Sequence, residues 1–118
     1  MPRMLFKKHL IKRIQERRKT QTRRISRRKY RVDRTYSIRD NWFGKPQCHI
    51  HITRRFEQKL GEISPEDIKK EGFNSLEEFR RVWEEINGKG SWDPEEMVIV
   101  YEFELVQPPG FEPGPGGI

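Results

Sequence analysis

Side chains able to do chemistry gather in two stretches of this 118-residue chain. The first is Arg23-Arg24-Ile25-Ser26-Arg27-Arg28-Lys29-Tyr30-Arg31, in which seven of nine residues are basic or aromatic. Cations at that density neutralise phosphates and release condensed counterions, and Tyr30 or Tyr36 offers a flat face on which a base stacks. The second stretch is Cys48-His49-Ile50-His51. A thiol beside imidazoles is a candidate nucleophile, and two histidines two apart on a strand can share a metal. A third ligand of matching reach is absent from the local sequence, however, and a lone cysteine in a strand is most often a buried, inert thiol. Cys48 is therefore expected in the core and the histidines on the exposed face, with no metal site and no cofactor.

Charge supports the first stretch over the second. Residues 1–40 carry 16 basic and three acidic side chains, whereas residues 41–118 carry nine and 15. The amino-terminal part attracts polyanions, and nucleic acid is the leading partner; the competing explanation is a solvated surface laced with ion pairs. The apolar share is 32% and no window resembles a membrane span. The opening residues lack the apolar run and cleavage site of a secretion signal, and a single cysteine excludes internal disulfides. A soluble, cytoplasmic protein, acting as a monomer, is the expectation.

The elements that must position these groups follow from periodicity and punctuation. Leu10, Ile11 and Ile14 recur at helical spacing through His9 to Glu16. From Lys19 to Ile25, threonines alternate with long polar chains, which suits an extended segment. One or two strands are expected between Tyr30 and Arg39, and a loop from Asn41 to Pro46. Cys48 to Thr53 alternates as a half-buried strand. Ser64-Pro65-Glu66-Asp67 begins a short helix that Gly72 closes. Asn74-Ser75-Leu76-Glu77-Glu78 caps another, whose stripe Leu76, Phe79, Trp83 and Ile86 is expected in the core. Met97 to Val106 is the strongest strand and is placed mid-sheet. From Gln107 onward eight of twelve residues are Pro or Gly, so residues 107–118 are expected to form a disordered tail on a single domain of residues 1–106. The order of elements is α+β, and the strand count for the length favours a sheet that curls into a barrel.

At Lys19-Thr20-Gln21-Thr22-Arg23-Arg24 the chain resembles an ASCH domain, a branch of the PUA-like β-barrels linked to RNA. The similarity continues through Ile50 and Ile52, the run from Ile63 to Asp67, Glu71-Gly72-Phe73, Ser75 to Phe79, Trp83, Asn87-Gly88 and the closing Val100, Phe103 and Leu105. It implies a mixed barrel of five to six strands with two to three helices packed on it. Within that family the chain resembles the small acetylcytidine amidohydrolases, whose lysine, threonine and glutamate fall by motif position on Lys19, Thr22 and Glu71. The resemblance implies that Thr22 attacks an acetyl carbonyl, Lys19 takes the hydroxyl proton and Glu71 delivers one to the departing cytosine amine. Lys19 would have to be partly neutral, which burial and the nearby Arg18, Arg23 and Arg24 favour. Such proteins usually carry glycine two residues before the lysine, where this chain has Arg17, so the turn there is expected to differ. Lys19 and Thr22, three apart, would face opposite sides of a regular strand, so Lys19 must precede it.

The reading that results is a domain binding RNA or a modified nucleoside in a basic cleft. Lys19, Thr22, Arg24 and Glu71 would line the pocket, and Arg23, Arg27, Arg28 and Lys29 would meet phosphates outside it, with Arg18 and Tyr30 assisting. The alternatives are the amidohydrolase, a ribonuclease or a protein-interaction module; in the blandest of them Lys19 and Glu71 form an ion pair and Thr22 is merely a strand residue.

Overall fold

The computed structural model describes residues 2–25 and 29–107. Five strands and three helices alternate as strand β1 (Arg3–Leu5), helix α1 (Lys8–Gln15), β2 (Gln21–Arg24), β3 (Thr35–Arg39), β4 (Cys48–Lys59), α2 (Pro65–Lys70), α3 (Leu76–Asn87) and β5 (Met97–Val106). The strands form one mixed sheet in the order β1-β3-β4-β5-β2, with β1 and β3 parallel and every other pair antiparallel. The fold is α+β, as the order of elements implied. The closed barrel is not formed as a continuous ladder, because no pairing between β1 and β2 joins the sheet edges among the described residues. Arg24 of β2 spans the gap instead, donating from Nη2 to the Leu5 carbonyl of β1 at 2.6 Å.

β4 and β5 pair over ten positions, interrupted by an irregularity between Ile52 and Arg54. Ile50, Ile52, Val98, Val100 and Tyr101 of these two strands are almost wholly buried. β5 lies between β4 and β2, and residues on both of its faces are covered: Val98 and Val100 as well as Ile99, Tyr101 and Phe103. Leu10, Ile11 and Ile14 anchor α1. α3 begins at Ser75, whose hydroxyl accepts from the Glu78 N–H at 3.1 Å, while the Glu78 carboxylate accepts from the Asn74 N–H.

The core-facing arc of α3 is narrower than the sequence stripe. Phe79, Val82 and Trp83 are buried, but Leu76 is 48% exposed and Ile86 46%. The apolar residues at its two ends are only partly covered, and Ile86 lines the edge of a cavity. Cys48 is half-buried against the core, where burial pushes its thiol up to about 11. His49 and His51 are half-buried rather than freely exposed, and the His51 Nδ1 lies 3.1 Å from the Thr35 hydroxyl. A single strand, β3, occupies the Tyr30 to Arg39 interval.

Candidate functional site

Two helix ends converge on Lys19. α1 closes with the Arg17 N–H bonded to the Ile14 carbonyl and the Arg18 N–H to that of Arg13, both at 2.9 Å. This is a Schellman cap, and its left-handed position is filled by Arg17 at φ +63°. The turn that glycine would make is therefore formed here by arginine, at the cost of backbone strain. α2 closes identically, from Gly72 N–H to Lys69 and from Phe73 N–H to Ile68, with Gly72 at φ +94°. Glycine is favoured there for a second reason: a Cβ at Gly72 would stand 3.1 Å from the Cβ of Lys19, a tight contact. The cap leaves the last two carbonyls of the α2 turn free. The Thr20 N–H takes that of Lys70 at 2.7 Å, and Lys19 Nζ takes that of Glu71 at 3.1 Å.

Lys19 thus sits before β2, outside its alternation. Its ammonium also donates to Glu71 Oε1 at 2.8 Å and to the Gln21 carbonyl at 2.9 Å, so all three of its protons are placed. The other carboxylate oxygen of Glu71 accepts from Arg23 Nη1 at 2.9 Å. Arg23 donates further to Gln21 Oε1, to Gln58 Oε1 at 2.8 Å and, at 3.4 Å, to Asp67. Lys19, Glu71 and the Arg23 side chain are all within a few per cent of complete burial. Burial lowers the Lys19 pKa, and Arg24 and Arg23 lower it further, against the opposing pull of Glu71.

This cluster forms one end of a cavity of about 730 Å³. Phe6, Phe73, Phe79 and Trp83 supply its aromatic walls, and Lys7, Ile25 and Asp40 are among its remaining lining residues. Thr22 lies in the lining, and its hydroxyl makes no hydrogen bond to the described residues. Arg24 lies there as well, its guanidinium 4.5 Å from the centre of the Phe6 ring. Among the described residues no carboxylate comes within ion-pair distance of Arg24, so its charge is left over after Lys19 and Arg23 are matched by Glu71 and Asp67. Burial pulls its pKa down from the usual arginine value, although a guanidinium retains its proton in proteins.

Lys19, Thr22, Arg24 and Glu71 therefore line one cavity. Two other expectations are corrected. Arg23 does not reach outward to phosphates, because its side chain is fully buried by its partners on Glu71, Gln21 and Gln58. Tyr30 is not an open stacking face: it is 8% exposed and wedged edge-on between Tyr36 and Tyr101, its N–H bonded to the Tyr101 hydroxyl. Tyr36 is buried in the same cluster. Arg18 and Lys29 are exposed, the former 3.7 Å from Glu16. Arg27, Arg28 and the segment beyond Gln107 lie outside the described residues. The aromatic walls were not singled out from sequence. Phe73, an apolar residue directly after the Gly72 cap, was the available signal.

The model of the ASCH domain matches residues 3–107. The chain belongs to the ASCH domain family. Among solved structures it is similar to an ASCH domain from Lactobacillus crispatus, at 18% identity and TM-score 0.63, over 82% of this chain and 70% of that one. It is similar as well to an Enterococcus faecalis protein, at 18% identity and TM-score 0.62, over 83% and 70%. No curated protein matches. At these identities the two structures speak for the fold of this ASCH domain.

Proposed function

We propose that this ASCH domain binds a nucleoside, free or carried by single-stranded RNA, with its base enclosed in the cavity between sheet and helices. The carrying observation is the cavity itself. Its volume of about 730 Å³ falls among small-ligand sites, and its apolar walls, four of them aromatic side chains, end in convergent polar groups. The unmatched guanidinium of Arg24 and the open hydroxyl of Thr22 are the groups left to meet a ligand's acceptors, because Lys19 and Arg23 are occupied by Glu71. Isothermal titration with acetylcytidine and cytidine tests this. Binding that weakens in Arg24→Met and Thr22→Val is expected; an absence of binding for both nucleosides, at low salt as well, overturns it.

A second reading, deacetylation of acetylcytidine, is favoured by one observation: the Thr22 hydroxyl lines the same cavity as a lysine whose pKa is lowered by burial. Thr22 would add to the acetyl carbonyl as Lys19 accepts its proton, Glu71 would relay that proton to the amine as the C–N bond breaks, and water would then hydrolyse the acetyl ester on Thr22 to acetate. For this, Lys19 must lose its proton and give up one of its three acceptors, so binding is the simpler function of the resting geometry. Chromatographic detection of cytidine released from acetylcytidine separates the two. Cytidine release that falls far more in Thr22→Val than nucleoside affinity does establishes the enzyme, and binding without release leaves the domain a reader.

A further inference from the structure

The cavity opens beside a turn that the nucleoside reading does not use. Asp40, which lines the cavity and pairs with Lys8 at 3.5 Å, leads directly into Asn41, Trp42, Phe43 and Gly44. Phe43 is 91% exposed, the most exposed large apolar side chain among the described residues. It is not on a loose loop. The Asn41 side chain accepts from the Phe43 N–H at 3.1 Å, and the Gly44 N–H returns to the Asn41 carbonyl. Arg39 holds the Gly44 carbonyl, and Arg3 donates to the Trp42 carbonyl with its guanidinium 5.6 Å from the Trp42 ring. A ring held out into water on a braced turn is poorly explained by folding, because its exposure recovers none of the burial energy of a phenyl group.

We infer that the 41–44 turn is a stacking platform for a single-stranded RNA base next to the one held in the cavity, an inference that rests on the nucleoside reading. The charge around it fits that occupant. Lys7 and Lys45 are exposed on the segments flanking the turn and the cavity, Arg3 donates to the Trp42 carbonyl, and the acid at its base, Asp40, is offset by Lys8. Phe43 lies three residues from Asp40, so its Cα is within about 11 Å of that cavity residue. A strand with one base in the cavity therefore passes its neighbour over the phenyl face, and its phosphates over the lysines. Any base can stack on such a face, so the platform adds affinity for single strands without reading sequence.

The test uses the full chain, fluorescence anisotropy with a fluorescein-labelled, mixed-sequence single-stranded RNA of about eight nucleotides, and nucleoside titration in parallel. Phe43→Ala is expected to weaken the RNA about tenfold and Phe43→Trp to restore it, with the affinity for free nucleoside and the melting midpoint unchanged. Equal RNA affinity in Phe43→Ala, parallel loss of RNA and nucleoside, or a sedimentation dimer that Phe43→Ala dissociates would each overturn the platform. Nucleoside binding without RNA binding removes the platform and leaves the cavity reading intact. Phe43-dependent RNA binding without nucleoside binding keeps the platform and removes the cavity reading.

Discussion

The ends of α1 and α2 are the same backbone device placed in two environments. Each has a glutamate at the C-cap, then a left-handed residue, then two hydrogen bonds back into the last turn. At α1 the residues are Glu16, Arg17 and Arg18, all exposed, with Glu16 and Arg18 3.7 Å apart. At α2 they are Glu71, Gly72 and Phe73, all buried, with Glu71 clamped between Lys19 and Arg23. The difference teaches that the cap sets where the chain turns, while the surroundings decide whether the glutamate merely meets water or organises a site. A glutamate in water is worth little to stability, whereas one serving two buried cations cannot be removed without stranding them.

The sharpest way to break the comparison is to neutralise each glutamate. Glu71→Gln is expected to lower unfolding stability by about 3–5 kcal/mol in denaturant titration, since two buried cations lose their carboxylate. Next, Gly72→Ala should cost about 2 kcal/mol, from the left-handed backbone and the crowding of Lys19. If it is tolerated without loss, the close approach of the cap to Lys19 is not a constraint.

Lys19 provides a pH test of the buried end. Burial holds its pKa below the usual 10.5, so the unfolded chain binds this proton more tightly than the native one. Stability should therefore gain a rising component with pH across the window between the folded value and 10.5, at most about 1.4 kcal/mol per pH unit. Denaturant midpoints taken along that window should show the component in the native chain and not in Lys19→Met; parallel profiles would mean that Lys19 is not desolvated.

At the exposed end the effects shrink and change sign. Arg17→Gly should stabilise by about 1 kcal/mol by relieving the left-handed arginine, read as a raised melting temperature. Glu16→Gln should leave that temperature unchanged, and a clear drop would erase the contrast between the two caps.

Much of the fold was legible because its signals are local. Serines at 64 and 75, glycines at 72 and 88 and the apolar period of α1 mark where helices start, stop and face, and the alternation of Cys48 to Thr53 marks a strand. The resemblance to a known family groups Lys19, Thr22 and Glu71 by motif position, although Glu71 lies far along the chain from the other two. Other features are tertiary. Whether Leu76 and Ile86 are covered depends on how far the neighbouring elements extend along α3, and nothing in their own spacing says so. Arg23 and Lys29 belong to one basic run, yet one is wholly inside and the other exposed, because β2 directs Arg23 toward the carboxylates of α2.

By itself, then, the sequence determined the α+β order, the caps and the surplus of cations in the first forty residues, since propensity, periodicity and charge are properties of neighbouring residues. Only the tertiary structure decided which of those cations are buried. It paired Lys19 and Arg23 with Glu71, some fifty residues away, left Arg24 with no carboxylate in ion-pair distance among the described residues, and closed the tyrosines into the core. The reason is that burying a charge is tolerable only where a distant part of the chain supplies its counter-charge and hydrogen bonds, and that meeting exists only after folding.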